Sequence, residues 1–215
     1  MKHIKEMEEV DKQINNQDLL KKVDISYALG KSYEDLKNYE KAFHYLNKAN
    51  QLKFDKFLGK TIKFTQDNHS FSNLGVLRGL HYQLEPKAQA KLVRCTKGEV
   101  FDVLVDIRKD SITFGQWVGA KLSSKNKNQL WVPIGFAHGF LVLSDLAEVN
   151  YKVSGFWNKS CERSLLWNDK EIDIKWPLDQ YNISKPLLSE KDINASTLFE
   201  VVLINYFHSL VMKST

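Results

Sequence analysis

A mainly β fold, an antiparallel jelly-roll barrel carrying an α-helical hairpin at its N-terminus, is predicted by three observations. The texture of the chain changes near Thr61. From Glu6 to Leu52 it is rich in Lys, Glu, Leu and Ala, without Pro and with a single Gly, whereas beyond Thr61 short apolar or alternating runs are broken by turn residues. Those runs recur at short, regular spacing, the pattern of an antiparallel sandwich or barrel. Two histidines, a lysine and two arginines (His81, His138, Lys91, Arg78, Arg94) lie among the runs. They are material for a polar pocket inside a barrel rather than for a solvated surface.

The chain has 215 residues, 43% hydrophobic and 12% aromatic, enough for one full core and a small appendage. Residues Met1 to Asn16 are charged throughout and lack the basic, then apolar, then small-residue order of a secretory signal, so a cytoplasmic protein is expected. In a reduced compartment Cys95 and Cys161 are expected as free thiols. The formal charge is +5, but only Arg78, Arg94, Arg108 and Arg163 are arginines and the lysines are spread among acids. That argues against nucleic acid as a partner and suits a small anionic substrate, since a diphosphate needs only a few local cations.

Residues Glu6 to Leu52 read as helix. Around Tyr33, the positions of Leu29, Gly30, Ala42, Leu46 and Ala49 match the offsets of one tetratricopeptide repeat, with Asp35 to Tyr39 as its turn. Small residues there let two antiparallel helices approach closely. One such repeat does not bury its own apolar face, so a packing role on this chain or a protein partner is expected of it. The expected division is residues 1–56 for the helical segment, 57–196 for the barrel and 197–215 for an apolar tail of unassigned role.

Expected strands include Lys91–Cys95, Glu99–Ile107, Gln116–Leu122, Gln129–Pro133, Gly139–Leu143 and Glu148–Val153, with turns at Lys97-Gly98 and Lys109-Asp110-Ser111. A jelly roll of the cupin type is the specific expectation. In so small a barrel, alternating inward positions bring together residues distant in sequence. The tail from Thr197 to Met212 is interrupted by Glu200, Asn205 and His208 and falls short of the ~20 apolar residues that span a bilayer. A strand or helix covering apolar surface is expected there, not a membrane segment.

His138 follows the Pro-x-Gly-x-x-His order that closes a cupin strand; in metal-binding cupins that histidine joins a His-x-His pair and a Glu. The corresponding pair here is His81-Tyr82-Gln83. Beside imidazole and carboxylate an amide is a poor ligand for a transition metal, so no metal and no cofactor are expected. The pocket reads as an acid–base site. There a histidine needs an orienting partner, a cation for a developing oxyanion, and a proton donor on the other side.

The blocks Gln66-Asp67-Asn68-His69-Ser70, Gly75 to Gln83, Lys91 to Cys95, Gly98 to Val103, Thr113-Phe114-Gly115, Phe136 to Phe140, Trp167-Asn168-Asp169 and Leu188 to Asp192 resemble the dTDP-4-dehydrorhamnose 3,5-epimerase family from roughly Leu58 to Asn194. The resemblance implies inversion at C3 and C5 of dTDP-4-dehydro-6-deoxy-D-glucose by proton removal and return, on the way to dTDP-L-rhamnose. It implies His81 as base with Asp192 as its partner, Lys91 facing the C4 oxygen, and Tyr151 as acid. Substrate contacts would fall to Gln66, Asn68, Arg78, His138, Glu162 and Lys191, with Trp157 where the family stacks an aromatic ring on thymine. A homodimer is implied as well. The helical hairpin stands where the family carries leading strands that reach a neighbouring subunit and contact the nucleotide, so that contact is expected to be absent and dTDP to bind more weakly. Two further readings stay open: an inactive or partially active remnant serving as a nucleotide-sugar-binding or interaction module, and a single-site epimerase or a ketoisomerase on a related dTDP-sugar.

Overall fold

The computed structural model describes residues 2–15, 18–58 and 61–204. It divides into two compact units, residues 1–63 and 64–215.

The first unit holds three helices, α1 (Lys2–Gln13), α2 (Leu19–Asp35) and α3 (Tyr39–Leu58). The continuous helical reading therefore breaks twice. The second break is the expected turn, made by Lys37 in the left-handed region (φ 58°) and closed by the Asn38 amide donating to the Tyr33 carbonyl at 2.9 Å. The first lies between Gln13 and Leu19, where the Asp18 amide donates to the Asn15 carbonyl at 2.9 Å. Leu29, Gly30, Tyr33, Ala42 and Ala49 are buried between α2 and α3. A Cβ on Gly30 would stand 2.7 Å from the Leu46 side chain, so glycine sets the helix separation. Helix α1 is held by polar contacts: Glu8 accepts from the Tyr33 hydroxyl at 2.6 Å, and Asp11 pairs with Lys48 at 2.6 Å.

The second unit is a two-sheet antiparallel sandwich, a jelly-roll barrel of the cupin kind. Four strands order as β1 (Gln66–Asn73), β8 (Leu146–Val153), β3 (Lys91–Lys97) and β6 (Gln129–Val132). Five order as β5 (Trp117–Ser123), β4 (Glu99–Asp106), β7 (Phe136–Val142), β2 (Leu77–Gln83) and β9 (Glu162–Ser164). Val93, Val132, Ala147 and Val149 of the first sheet meet Val100, Leu104, Leu122, Phe140 and Val142 of the second in the interior core. Strand β7 begins at Phe136, three residues earlier than the apolar run alone indicates, because Phe136 and Ala137 pair with Asp106 and Val105 of β4.

The five-stranded sheet is buried on its outer face too. Residues 161–204 fold back over it, setting Leu165, Ile172, Ile174, Leu198 and Val201 against Leu80, Val103, Val105 and Ala137. Two-sided burial explains why β4 and β7 read as continuous apolar runs instead of alternating ones. Within the tail, residues 198–204 are helical. A reciprocal cap starts that turn: Glu200 accepts from the Thr197 amide at 2.8 Å and donates its own amide to the Thr197 hydroxyl at 3.4 Å. The rest of the expected tail, residues 205–215, lies outside the described residues. Cys95 and Cys161 are buried free thiols, and no helix among the described residues is long and apolar enough to cross a membrane.

Because Leu198 is buried against the barrel, Leu198→Ala should cost about 2 kcal/mol or more of stability. A fall in the urea midpoint with unchanged slope is the measure; a change below about 0.5 kcal/mol would place the tail on the surface instead.

Candidate active site

The segment Arg78-Gly79-Leu80 lies inside strand β2, and its distortion builds the site. Arg78 pairs with Phe140 and His81 with His138, so three steps along β2 oppose two along β7. In a regular strand residues 78 and 81 would face opposite sides. The irregularity brings both to one cavity. Glycine is required where the strands touch. Gly79 has φ 105°, and a Cβ there would lie 2.7 Å from the His138 carbonyl oxygen; one on Gly139 would lie 2.5 Å from that of Arg78.

Two adjoining cavities of about 340 and 280 Å³ occupy the space between the sheets at this end of the barrel and share His81, Lys91, Tyr151, Trp157 and Glu162. Gln66 and Asn68 line the first. Arg78, His138 and Lys191 line the second. Asp192 stands behind His81, its Oδ1 2.5 Å from His81 Nε2. All eleven residues singled out in the sequence therefore converge on one place, from five strands of both sheets, strand β9, the loop after β8 and the short helix α4 (Glu190–Ile193).

Helix α4 is placed by the start of β2, where Leu77 and Gly75 exchange backbone hydrogen bonds with Leu187 at 2.9 and 2.8 Å. Its cap Ser189 accepts the Asp192 amide and donates its hydroxyl to Asp192 Oδ2 at 2.8 Å. Both oxygens of Asp192, only 3% exposed, are thus engaged. With Nε2 of His81 donating to that carboxylate, the lone pair on Nδ1 is left for substrate. Burial pushes the His81 pKa down, and the hydrogen bond and charge of Asp192 oppose this without reversing it, so the imidazole is neutral at pH 7 and competent as a base. Asp192 itself feels burial upward first, but His81 and Ser189 hold its carboxyl below the usual range.

Lys91 is 8% exposed, and its Nζ donates to the His81 carbonyl at 3.3 Å, bridging the sheets. Burial pushes its pKa down to about 8, opposed by Asp102 and Glu162, which leaves it mostly charged at neutral pH. Burial pushes the Tyr151 hydroxyl up, so it keeps its proton. Tyr151 sits on β8 between Asn68 and Val93, in the sheet opposite His81. Arg78 is anchored by its Nε donating to Ser72 Oγ at 2.9 Å. Glu162 pairs with Lys191 at 3.2 Å. Trp157, half exposed at the mouth, donates its backbone amide to Gln66 Oε1, whose amide nitrogen donates to Asn68.

Three contributors were not assigned from sequence. Ser189 orients Asp192, and Gln89 lines the first cavity. Asp102, fully buried, holds His138 Nε2 at 2.8 Å. A carboxylate inside the apolar run Val100 to Val105 was the available signal for the last. Gln83 does not complete a ligand set: its Oε1 accepts the Asn158 amide at 2.7 Å, and no group of three or more His, Cys, Asp or Glu among the described residues is arranged to hold a metal.

A jelly roll that gathers a histidine, a lysine and a tyrosine around one polar cavity has the groups that acid–base chemistry needs. Residues 42–200 match the family model for dTDP-4-dehydrorhamnose 3,5-epimerase. The enzyme of that name from Shigella flexneri is 60% identical over 150 residues, covering 70% of this chain and 80% of its own. The Legionella pneumophila epimerase, solved with dTDP-4-keto-L-rhamnose, is 49% identical with a TM-score of 0.64, covering 68% of this chain and 75% of its own. ChmJ, a 3'-monoepimerase from Streptomyces bikiniensis solved with dTDP-quinovose, is 33% identical with a TM-score of 0.66, covering 72% and 76%. The chain belongs to the dTDP-4-dehydrorhamnose 3,5-epimerase family.

Asp192→Asn should lower the pKa of His81 further, because the carboxylate is what opposes the effect of burial on the imidazole. An NMR titration of the His81 ring protons reads this directly; an unchanged or raised value would mean that the dyad does not form in solution.

Proposed function

We propose that this chain inverts C3 and C5 of dTDP-4-dehydro-6-deoxy-D-glucose, with His81 as base, Tyr151 as acid and Lys91 as the group that stabilises the enolate. Both carbons are α to the C4 ketone, so removing either proton gives an enolate whose charge rests on O4. Inversion needs a base on one face of the ring and a proton donor on the other. The observation that carries the reading is that His81 and Tyr151 project from opposite sheets across one cavity, with Lys91 beside His81.

In each half-reaction His81 Nδ1 takes the proton and Asp192 stabilises the imidazolium that forms. The C–H electron pair moves into the enolate, and O4 takes up negative charge against the Lys91 ammonium. Tyr151 then delivers a proton to the carbon from the other side, and exchange with solvent returns His81 to neutral imidazole and Tyr151 to its protonated form before the second half-reaction. Its burial supports this role, since the hydroxyl stays protonated until a nearby base draws on it. Arg78 and Lys191 supply charge-assisted donors for a diphosphate, and Gln66 and Asn68 polar contacts. Trp157 offers an apolar platform for thymine at the mouth. His138 contacts the sugar from the strand beside His81. Pairing of two chains, as the family resemblance implies, belongs to the same reading. Likeness to the monoepimerase ChmJ favours a second reading, inversion at C3 alone on the same residues.

Solvent deuterium incorporation, followed separately at C3 and C5, tests the assignment. His81→Ala should lower exchange at both carbons by about 10²–10⁴-fold while dTDP still binds. Tyr151→Phe should keep exchange by His81 and lose net epimerisation. Exchange at C3 only in the wild-type chain would favour the single-site reading, and wild-type exchange in His81→Ala would remove His81 from the mechanism.

The rate should also fall on both sides of neutrality. His81 must be neutral, so kcat/KM falls as pH drops through its depressed pKa; Lys91 must be charged, so it falls again as pH rises through about 8. In Lys91→Arg the alkaline fall should move to higher pH, since guanidinium stays protonated. A pH profile of kcat/KM checks both limbs.

A further inference from the structure

Asp102 lies in the middle of β4, in the run Val100-Phe101-Asp102-Val103-Leu104-Val105, and is 0% exposed. A carboxylate taken wholly out of water costs several kcal/mol unless its charge is met. Only one of its oxygens has a hydrogen-bond partner among the described residues: Oδ1 is 2.8 Å from His138 Nε2, while Oδ2 is buried without one. Such a group is too costly to be filler, because an apolar residue of similar volume would pack in its place without that cost. Its partner His138 lines the reaction cavity. His138 is the direct cross-strand neighbour of His81, and both rings have Nε2 held by a carboxylate.

We propose that Asp102 is a positioning residue for this reaction: its buried carboxylate fixes the His138 ring in the cavity and keeps the neighbouring Lys91 ammonium charged where the enolate oxygen forms. The proposal rests on the role given to Lys91 above. The groups around Lys91 are Asp102 on β4, Glu162 on β9, Lys191 on α4, His81 on β2, His138 on β7 and Tyr151 on β8. Two of them are anionic. Glu162 is already engaged by Lys191 at 3.2 Å, so part of its charge is met at the cavity edge. Among the described residues no lysine or arginine pairs with Asp102, and its field is undiluted by solvent. It is also first among the groups that hold the Lys91 pKa up against burial, ahead of Glu162.

Asp102→Asn is the test, since it keeps shape and an acceptor for His138 while removing the charge. Side-chain carbon NMR of labelled lysine, on the free protein, should find Lys91 titrating lower by about one pH unit or more. The alkaline limb of kcat/KM should move down by the same amount, with activity partly recovered at lower pH. In Asp102→Asn made together with Lys91→Arg, the limb should not move. An unchanged Lys91 titration in the folded variant would overturn the proposal. A titration that moves while the rate profile stays would instead overturn the role of Lys91 in the reaction, and the positioning role with it. Should Asp102→Asn fail to fold, Asp102→Glu keeps the charge but displaces His138. Lys91 should then titrate as in the wild type while KM rises; a Lys91 titration that falls, or an unchanged KM, would overturn the proposal.

Discussion

The close approach of β2 and β7 at Gly79 and Gly139 is the contact on which the site depends. No side chain fits between these backbones, and the extra residue that β2 carries through the contact turns Arg78 and His81 to the same side. Without it, His81 and the Arg78 guanidinium would face opposite surfaces of the sheet. The same contact sets His81 directly beside His138, so that two imidazoles share one wall while their carboxylates come from different places: Asp192 from the C-terminal helix, Asp102 from the interior of β4. Backbone geometry at two glycines thus decides which residues can do chemistry together.

Stability and chemistry are coupled through the C-terminal segment. The five-stranded sheet is apolar on its outer face, and covering that face is a packing requirement that residues 161–204 meet. The covering chain passes the start of β2, where Leu187 bonds to Leu77 and Gly75, and places Ser189 and Asp192 behind His81 five residues later. The dyad partner is therefore delivered by an element whose first task is burial. A change that loosens Leu165, Ile183 or Leu198 would release Asp192 without touching the cavity, and the imidazole would lose the partner that fixes its tautomer.

How much of this was legible in the sequence follows from what kind of signal each feature leaves. Alternation and turn residues marked β3, β4, β5, β6 and β8 because period-2 patterning and Gly or Asp turns act locally. The hairpin of α2 and α3 was legible from the small residues at its contact. The bulge in β2 was not, because Arg-Gly-Leu reads as a turn unless one knows that Gly139 lies opposite. The break before α2 was hidden among polar residues that a surface helix tolerates. The cap Thr197-x-x-Glu200 was present as a pattern and would have placed the tail helix; attention to apolarity alone passed over it. Asp102 was visible as a charge in an apolar run, but its partner His138 is thirty-six residues away and no local rule joins them. The residues around the substrate cavity were found by resemblance, and the structure brings them together by long-range pairing that no single stretch encodes.

Charge explains why so polar an interior is compatible with a folded barrel. Among the described residues in and behind the cavity, Arg78, Lys91 and Lys191 stand against Asp102, Glu162 and Asp192, and Asp102 and Asp192 each hold a ring nitrogen of a histidine. Each buried charge has an opposite or a hydrogen-bonding group in reach, which is the condition for its desolvation to be tolerated. The balance is spatially uneven. Arg78 and Lys191 are the exposed members, at the mouth, whereas Lys91, Asp102 and Asp192 are the buried ones. Screening by water is strong at the mouth and weak inside, so charge at the mouth is readily exchanged while charge in the interior is fixed in advance. On the mechanism proposed above, a fixed ammonium facing the ketone oxygen needs no reorganisation when the enolate forms. On that proposal the preorganisation draws on the buried carboxylates of Asp102 and Asp192, which hold the two imidazoles from behind, as much as on the residues that line the cavity.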